Sequence, residues 1–275
     1  MSSSASPLHR AVLHRLQAAP RNGGWAQAAS RPDVHGLSPE ERAALAAHWQ
    51  DAAQEEHAAV ASFSHLSLEL LALGAPAELL ASVHAAALDE IRHARLCFSL
   101  ASTYAGVEIT PPAITCRPEM PTEASFVSLA ASAARNGCVH ETAMALIAAE
   151  RLSRATDPAV QEALVQIVED ELRHAELAWS VVTWAVRQGG APARTAASRG
   201  FKMGMCHLAQ PPTDAPASEH PALSAHGLLS AGALQGAALR ALTEVLMPCA
   251  RALLEGSADA HDTAKPEAVA EIEAA

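Results

Sequence analysis

The sequence contains few aromatic residues and no long apolar run. Phenylalanine, tyrosine and tryptophan make up 3% of the 275 residues, and Tyr104 is the single tyrosine. A stretch of about 18 apolar residues, which a membrane-spanning helix requires, does not occur. The first residues, MSSSASPLHRAVLHRLQAAP, lack the apolar centre of a signal peptide. These absences predict a cytoplasmic protein that does not interact with a membrane.

Paired cysteines and excess positive charge are also missing. The five cysteines contain no C-x-x-C pair, which predicts reduced thiols and excludes a disulfide framework or a zinc knuckle; they are Cys97, Cys116, Cys138, Cys206 and Cys249. The formal net charge is -11 at pH 7. We therefore expect no nucleic acid among the partners, because binding to a phosphate backbone needs a basic surface.

Half of the residues are hydrophobic and many of these are alanine, a composition that favours helices around a core of small side chains. The pattern predicts four helices of about 30 residues within 38–188. The connections between helices 1 and 2 and between helices 3 and 4 are short, whereas the one between 2 and 3 is long. This all-α pattern is typical of a four-helix bundle in which two helical hairpins are joined by a crossover.

Two extensions flank the predicted bundle. Residues 1–37 are predicted to contain a short helix, Leu8 to Ala19. Residues 189–275 are interpreted as a loop, an apolar helix from about Ala231 to Leu254, and a flexible tail. The third bundle helix is expected to start near Pro121, and its Asn136-Gly137 pair predicts a kink or a local bulge.

One charged hexapeptide occurs twice inside apolar helices, as DEIRHA from Asp89 and as DELRHA from Asp170. Each copy places a glutamate and a histidine three residues apart, on one helix face. Their neighbours at helical spacing are apolar, so both pairs are predicted to point into the core; the pairs are Glu90 with His93 and Glu171 with His174.

Helices 1 and 3 each supply one further carboxylate in phase with the core. Glu56 shares its face with Trp49 and Phe63, whereas the neighbouring Glu55 lies on a polar face. Glu141 shares its face with apolar residues that include Cys138, a thiol that either lines the site or packs as a structural residue. The complete inward set is Glu56, Glu90, His93, Glu141, Glu171 and His174.

Four buried carboxylates repel one another and require compensating positive charge. Two divalent cations would cancel four carboxylate charges, and each histidine would supply one neutral nitrogen. Mixed carboxylate and imidazole ligands suit iron or manganese better than zinc. The expected cofactor is a pair of iron ions, and a mixed Mn/Fe pair or two manganese ions are the alternatives. The remaining interpretation is a relic bundle whose site no longer binds metal.

The other charged positions of the hexapeptide predict a layer around the ligands. A metal-bound histidine usually donates its second N–H to a carboxylate. Asp89 and Asp170 are the expected acceptors, each for the histidine of the opposite repeat. Arg92 and Arg173 are expected to pair either with these aspartates or with the ligand carboxylates.

Over residues 38–188 the sequence resembles the ferritin-like di-iron carboxylate superfamily. The D-E-x-R-H form is similar to the oxygen-activating members, and the wider pattern to bacterial ferritin-like domain proteins of unassigned substrate. The resemblance to ferritins is weaker, since these generally lack the second histidine. Met144 stands where rubrerythrins have an extra glutamate, and Tyr104 lies about 16 Å along the helix from His93, too far for a radical beside the metals.

The resemblance implies a di-iron oxidase or oxygenase that uses O2 to oxidise a small organic substrate. The four glutamates would be both ligands and catalytic groups, and an external donor would supply electrons. The alternatives are a ferroxidase or peroxide-scavenging protein and a non-catalytic partner subunit, in which the apolar C-terminal helix binds the partner. We expect a monomer or a homodimer.

Overall fold

The computed structural model describes residues 24–26, 30–114, 124–213 and 215–256. Several sequence predictions lie outside these ranges. They concern the helix from Leu8 to Ala19, the helix start at Pro121, the thiol of Cys116 and the tail after residue 256.

The described residues are all-α, as predicted. The helices are α1 (Pro39–Ala72), α2 (Ala77–Ala105), α3 (Phe126–Ser132), α4 (His140–Arg154), α5 (Pro158–Leu208), α6 (Pro221–Ala225), α7 (Ala231–Arg240) and α8 (Met247–Gly256). A π-helical segment, Ala133–Val139, joins α3 to α4, and another, Ala241–Leu246, joins α7 to α8. No helix in the described ranges is long and apolar enough to cross a membrane.

Local sequence signals fix the helix ends. Ser38 forms a capping box with Glu41 at the start of α1, with Pro39 in the first turn. Asp157 caps α5 by accepting hydrogen bonds from the N–H groups of Ala159 and Val160, both at 3.0 Å. Gly106 ends α2 in the left-handed conformation that favours glycine.

The long helices pack in pairs. α1 lies along α2, α5 lies along the continuous helix from α3 to α4, and α2 contacts α5. The buried residues form two apolar clusters, one around Leu129 and Val181 and the other around Trp49 and Phe98. On α1, α2 and α5, the predicted ligands lie at the sequence positions where one cluster gives way to the other, whereas Glu141 on α4 lies between Val139 and Ala143 of the first cluster.

The predicted irregularity at Asn136-Gly137 is confirmed as a π-helical segment. A π segment inserts an extra residue into the helical turn and so rotates the residues after it about the helix axis. Gly137 also permits close packing, since a Cβ atom there would lie 2.9 Å from the Cβ of Ala178 on α5.

The predicted loop after Gly190 is wrong, because the chain is helical as far as Leu208. Gly190 breaks the helix with a φ of 60°, and Pro192 then occupies a first-turn position of the next helical stretch. Small residues at helical spacing, Ala193, Ala197, Gly200 and Gly204, are buried on this stretch. They let its backbone approach α3 and the first π segment.

The predicted C-terminal apolar helix is present, interrupted by the second π segment. It packs on the long helices, with α7 against α4 and α8 against α5. Arg240 of α7 pairs with Glu150 of α4, and Arg154 of α4 bonds Glu219 at 2.9 Å. The indole N–H of Trp49 donates to the His226 carbonyl at 3.1 Å, which ties this segment to α1 as well.

Substituting Gly200 by alanine tests the close approach of residues 191–208. The new Cβ atom would overlap the carbonyl oxygen of Ala131, so we expect the free energy of unfolding to fall by about 1–2 kcal/mol. The control is Gly232→Ala, because a Cβ at this exposed helical position meets no atom within 4 Å. It should raise stability by about 0.5–1 kcal/mol through helix propensity. Urea unfolding measures the free energy of unfolding of both variants. Equal changes in the two would contradict the close packing at Gly200.

Candidate metal centre

The six predicted ligands converge in the protein interior as two overlapping groups. One group is Glu56, Glu90, His93 and Glu171, and the other is Glu90, Glu141, Glu171 and His174. Within each group, one possible ligand atom per residue lies within 4.8 Å of the others. Buried glutamate and histidine side chains are therefore placed to hold metal ions.

The two groups share Glu90 and Glu171, which come from the repeated hexapeptides on α2 and α5. Each group is completed by one histidine and one further glutamate. Glu56 of α1 joins the group of His93, and Glu141 of α4 joins the group of His174. The two imidazole rings lie 5.8 Å apart between their centroids. The sharing places Glu90 and Glu171 between two neighbouring sites.

Each histidine is oriented by the aspartate of the other hexapeptide. The Nε2 atom of His93 lies 3.0 Å from Oδ2 of Asp170, and Nε2 of His174 lies 3.3 Å from Oδ2 of Asp89. A carboxylate accepts only, so Nε2 carries the proton in each ring. The predicted crossed pairing is confirmed, and it leaves Nδ1 of both rings facing the glutamates.

The arginines of the hexapeptides pair with these aspartates and not with the ligand carboxylates. Arg92 pairs with Asp89 and lies 3.3 Å from Asp170, while Arg173 pairs with Asp170 and lies 3.4 Å from Asp89. The two arginine side chains are about half exposed, so these pairs add little stability. Their effect is to neutralise the two aspartates beside the site.

Three buried atoms of the site have no hydrogen-bond partner in the described part of the chain. They are Nδ1 of His93, Nδ1 of His174 and Oε2 of Glu90. Buried polar atoms of this kind are rare because each costs free energy to leave unsatisfied. All three point into the two ligand groups, where a bound cation would satisfy them.

The spacing of the donor atoms also suits a cation. Nδ1 of His93 lies 3.5 Å from carboxylate oxygens of both Glu56 and Glu171. Nδ1 of His174 lies 3.0 Å from Oε1 of Glu90. Two ligand atoms that each lie about 2.0–2.2 Å from one ion are separated by about 3–3.5 Å. The residues present therefore fit a pair of metal ions.

When no cation is bound, protons neutralise part of the negative charge of the carboxylates in the site. Burial raises the pKa of Glu90 to about 7. Burial, together with the charges of Glu171 and Glu90, raises the pKa of Glu141 well above its usual value. Burial alone would lower the pKa of His93, but the surrounding carboxylates outweigh this and raise it. The metal-free site thus holds protons that bound cations would displace.

The structure also shows the surroundings of Cys138 and Tyr104, two residues considered in the sequence prediction. Cys138 is fully buried in the apolar cluster around Leu129, where burial keeps its pKa high, so it packs as a structural thiol. The hydroxyl of Tyr104 lies 2.8 Å from Nδ1 of His226 in the C-terminal segment. The tyrosine is therefore engaged at the end of α2, away from the ligand groups.

One charged residue that acts on Glu56 was not predicted from the sequence. The charge of Arg151 interacts with Glu56, Glu55 and the buried thiol of Cys97, and burial together with this charge lowers the pKa of His48. A signal was present, since Arg151 is in helical phase with Met144 and Ala148 on the inward face of α4. An arginine on such a face is easily mistaken for a solvated residue.

No family model matches the chain, and comparisons with curated proteins and with solved structures also give no match. The assignment of the site therefore rests on its own geometry.

Metal binding should strengthen as pH rises towards 8, because ligands must lose protons to bind cations. Glu90 has a folded pKa of about 7, above its unfolded value, so its proton stabilises the metal-free fold at low pH and is lost as pH rises through 7. We expect Mn²⁺ to raise the melting temperature more at pH 8 than at pH 6. The control is the double variant His93→Ala, His174→Ala, whose melting temperature should respond to Mn²⁺ equally at both pH values. An equal rise at pH 6 and pH 8 in the unmodified protein would contradict the predicted pH dependence.

Proposed function

We propose that the protein is a ferritin-like di-metal oxidoreductase that uses O2 to oxidise a small organic substrate. The observation that carries this is the paired ligand set, in which two groups share Glu90 and Glu171. The helix pairing supports a ferritin-like topology, with α1 and α2 as one hairpin and the α3–α4 helix and α5 as the other. The long connection between Ala105 and Phe126 would be the crossover.

The charges support two divalent ions. Once deprotonated, Glu56, Glu90, Glu141 and Glu171 would carry four negative charges, which two such ions would cancel. The aspartates and arginines outside them already balance one another. A single divalent ion would leave two uncompensated carboxylates in the interior, at a cost of several kcal/mol each.

The ligand types favour iron, with manganese as the alternative. Each group offers three carboxylates and one imidazole, a mixture richer in oxygen than zinc sites typically use. Bound as ferrous ions, the metals would supply electrons for the reduction of O2. A further donor, or the substrate itself, would have to return those electrons.

The residues of the chain would position and protect this chemistry. Asp89 and Asp170 hold the imidazoles in one tautomer, so that Nδ1 is the available atom of each ring. Glu90, Glu171 and both histidines are almost fully buried, which keeps water from that side of the site. Glu56 and Glu141 are less buried than these residues.

The first test is the metal content of protein reconstituted with ferrous iron without oxygen. The unmodified protein should bind two iron ions per chain. Glu171→Ala removes a carboxylate common to both groups and should reduce the content below one ion. Glu176→Ala, an exposed glutamate on the same helix, should leave two. Elemental analysis measures this, and one ion in the unmodified protein would refute the paired site.

The second test is oxygen consumption by the iron-loaded protein. The ferrous protein should consume O2 when measured with an oxygen electrode, and Glu171→Ala should reduce the rate by at least about tenfold. The variant Glu176→Ala should react like the unmodified protein. Ferrous protein that stays unoxidised in air would contradict the proposal. Sustained consumption driven by added ferrous iron alone would instead identify a ferroxidase.

A further inference from the structure

A buried tyrosine and a buried histidine form a hydrogen-bonded pair outside the metal ligands. The hydroxyl of Tyr104, at the end of α2, lies 2.8 Å from Nδ1 of His226 in the C-terminal segment. Both residues are buried, and neither belongs to the two ligand groups. The pair is therefore a polar feature of the interior that metal binding does not explain.

The phenol of Tyr104 is the donor in this hydrogen bond. A buried O–H group without an acceptor costs free energy, and Nδ1 of His226 is the one acceptor that this hydroxyl meets in the described part of the chain. The imidazole is then neutral, with its proton on Nε2. Burial raises the pKa of Tyr104, so the phenol keeps its proton. A base that can take this proton nevertheless lies within hydrogen-bond distance of it.

A carboxylate lies close to the imidazole of His226. Oδ2 of Asp157 is 3.9 Å from Nδ1 of His226. The carboxylate is held in place by the backbone N–H of Asp33, at 2.8 Å, and by two N–H groups in the first turn of α5, both at 3.0 Å. Its negative charge would stabilise an imidazolium, and the attraction is stronger in the interior than in water. The surroundings of His226 therefore favour transfer of the phenol proton to Nδ1 once the phenol becomes a stronger acid.

A tryptophan lies between this pair and the metal site. The indole N–H of the buried Trp49 donates to the carbonyl of His226 at 3.1 Å. Trp49 is two turns, about 10 Å, from Glu56 along α1, whereas Tyr104 is about 16 Å from His93 along α2. Trp49 and Tyr104 belong to the same apolar cluster. Two oxidisable aromatic side chains thus lie at increasing distance from the ligands, and both contact His226.

We propose that Tyr104 and His226 form a site of reversible one-electron oxidation, which protects the metal centre when no substrate is present. Tyr104 would give one electron, by way of Trp49, to the metal pair after O2 has oxidised that pair. The phenol proton would move to Nδ1 of His226, which leaves a neutral phenoxyl radical and an imidazolium beside Asp157. One electron from an external donor and the proton from His226 would restore the phenol. That the oxidant is the metal pair rests on the proposed oxidoreductase function; the ability of Tyr104 to be oxidised in this way does not.

The first measurement is electron paramagnetic resonance of the full chain loaded with ferrous iron, exposed to O2 without substrate and frozen. We expect a phenoxyl signal that narrows when the protein contains ring-deuterated tyrosine, and because Tyr104 is the single tyrosine this assigns the radical. Tyr104→Phe removes only the hydroxyl and should abolish the signal with unchanged iron content. His226→Gln should lower the yield about tenfold or more, since glutamine cannot take the proton and the charge-assisted hydrogen bond is lost. The radical should also form more slowly in D2O, a test of proton transfer that needs no substitution.

The second measurement oxidises the metal-free chain with a photoexcited ruthenium complex and a sacrificial electron acceptor. The same radical should form, again about tenfold less in His226→Gln. The matched control is His207→Gln, which changes an exposed histidine near the end of α5 and should leave the yield unchanged in both measurements.

The two measurements separate the possible failures. A phenoxyl yield that is equal in His226→Gln and the unmodified protein would overturn the proposal, and so would the absence of the radical from the metal-free chain. Iron-loaded protein that consumes O2 without forming the radical would overturn the protective role. A radical that depends on His226 in the metal-free chain, in a protein whose ferrous form does not react with O2, would refute only the oxidoreductase function.

Discussion

The interior position of four carboxylates is the constraint on which the rest of the structure depends. Each buried charge without compensation costs several kcal/mol, while a whole domain is stable by only about 5–15 kcal/mol. Apolar clusters lie on both sides of the carboxylates along every long helix, so the site has little access to water. The fold is compatible with this arrangement only if protons or cations neutralise the site.

The crossed aspartate–histidine pairs make α2 and α5 depend on each other. Each hexapeptide supplies the histidine of one group and the aspartate that orients the histidine of the other. A shift of one helix along the other would break both hydrogen bonds at once and separate the shared glutamates. The repeated sequence therefore defines the register of the two helices as well as the composition of the site.

The candidate ligands could be predicted because residues at helical spacing share one face of a helix. Glu56 and Glu141 belong to no repeated motif, yet they could be assigned because their neighbours at helical spacing are apolar. The helical stretch after Gly190 was missed because its proline, serine and threonine content was interpreted as that of a loop, although a proline such as Pro192 also suits the first turn of a helix. The polar pair formed by His48 and Arg151 could not be found in the same way. Within the described residues, the buried Nε of Arg151 and Nε2 of His48 have no hydrogen-bond partner, and such a gap depends on the positions of neighbouring helices.

The two sides of the site differ in how far neighbouring residues close them. The histidine side is closed, because Asp89 and Asp170 occupy Nε2 of both rings and the arginines cover the aspartates. The opposite side is bounded by α1 and α4, which have little close backbone contact in the described residues. Glu56 and Glu141, the less buried ligands, lie on these two helices, and so do His48 and Arg151. The side between α1 and α4 therefore carries the less buried carboxylate of each group.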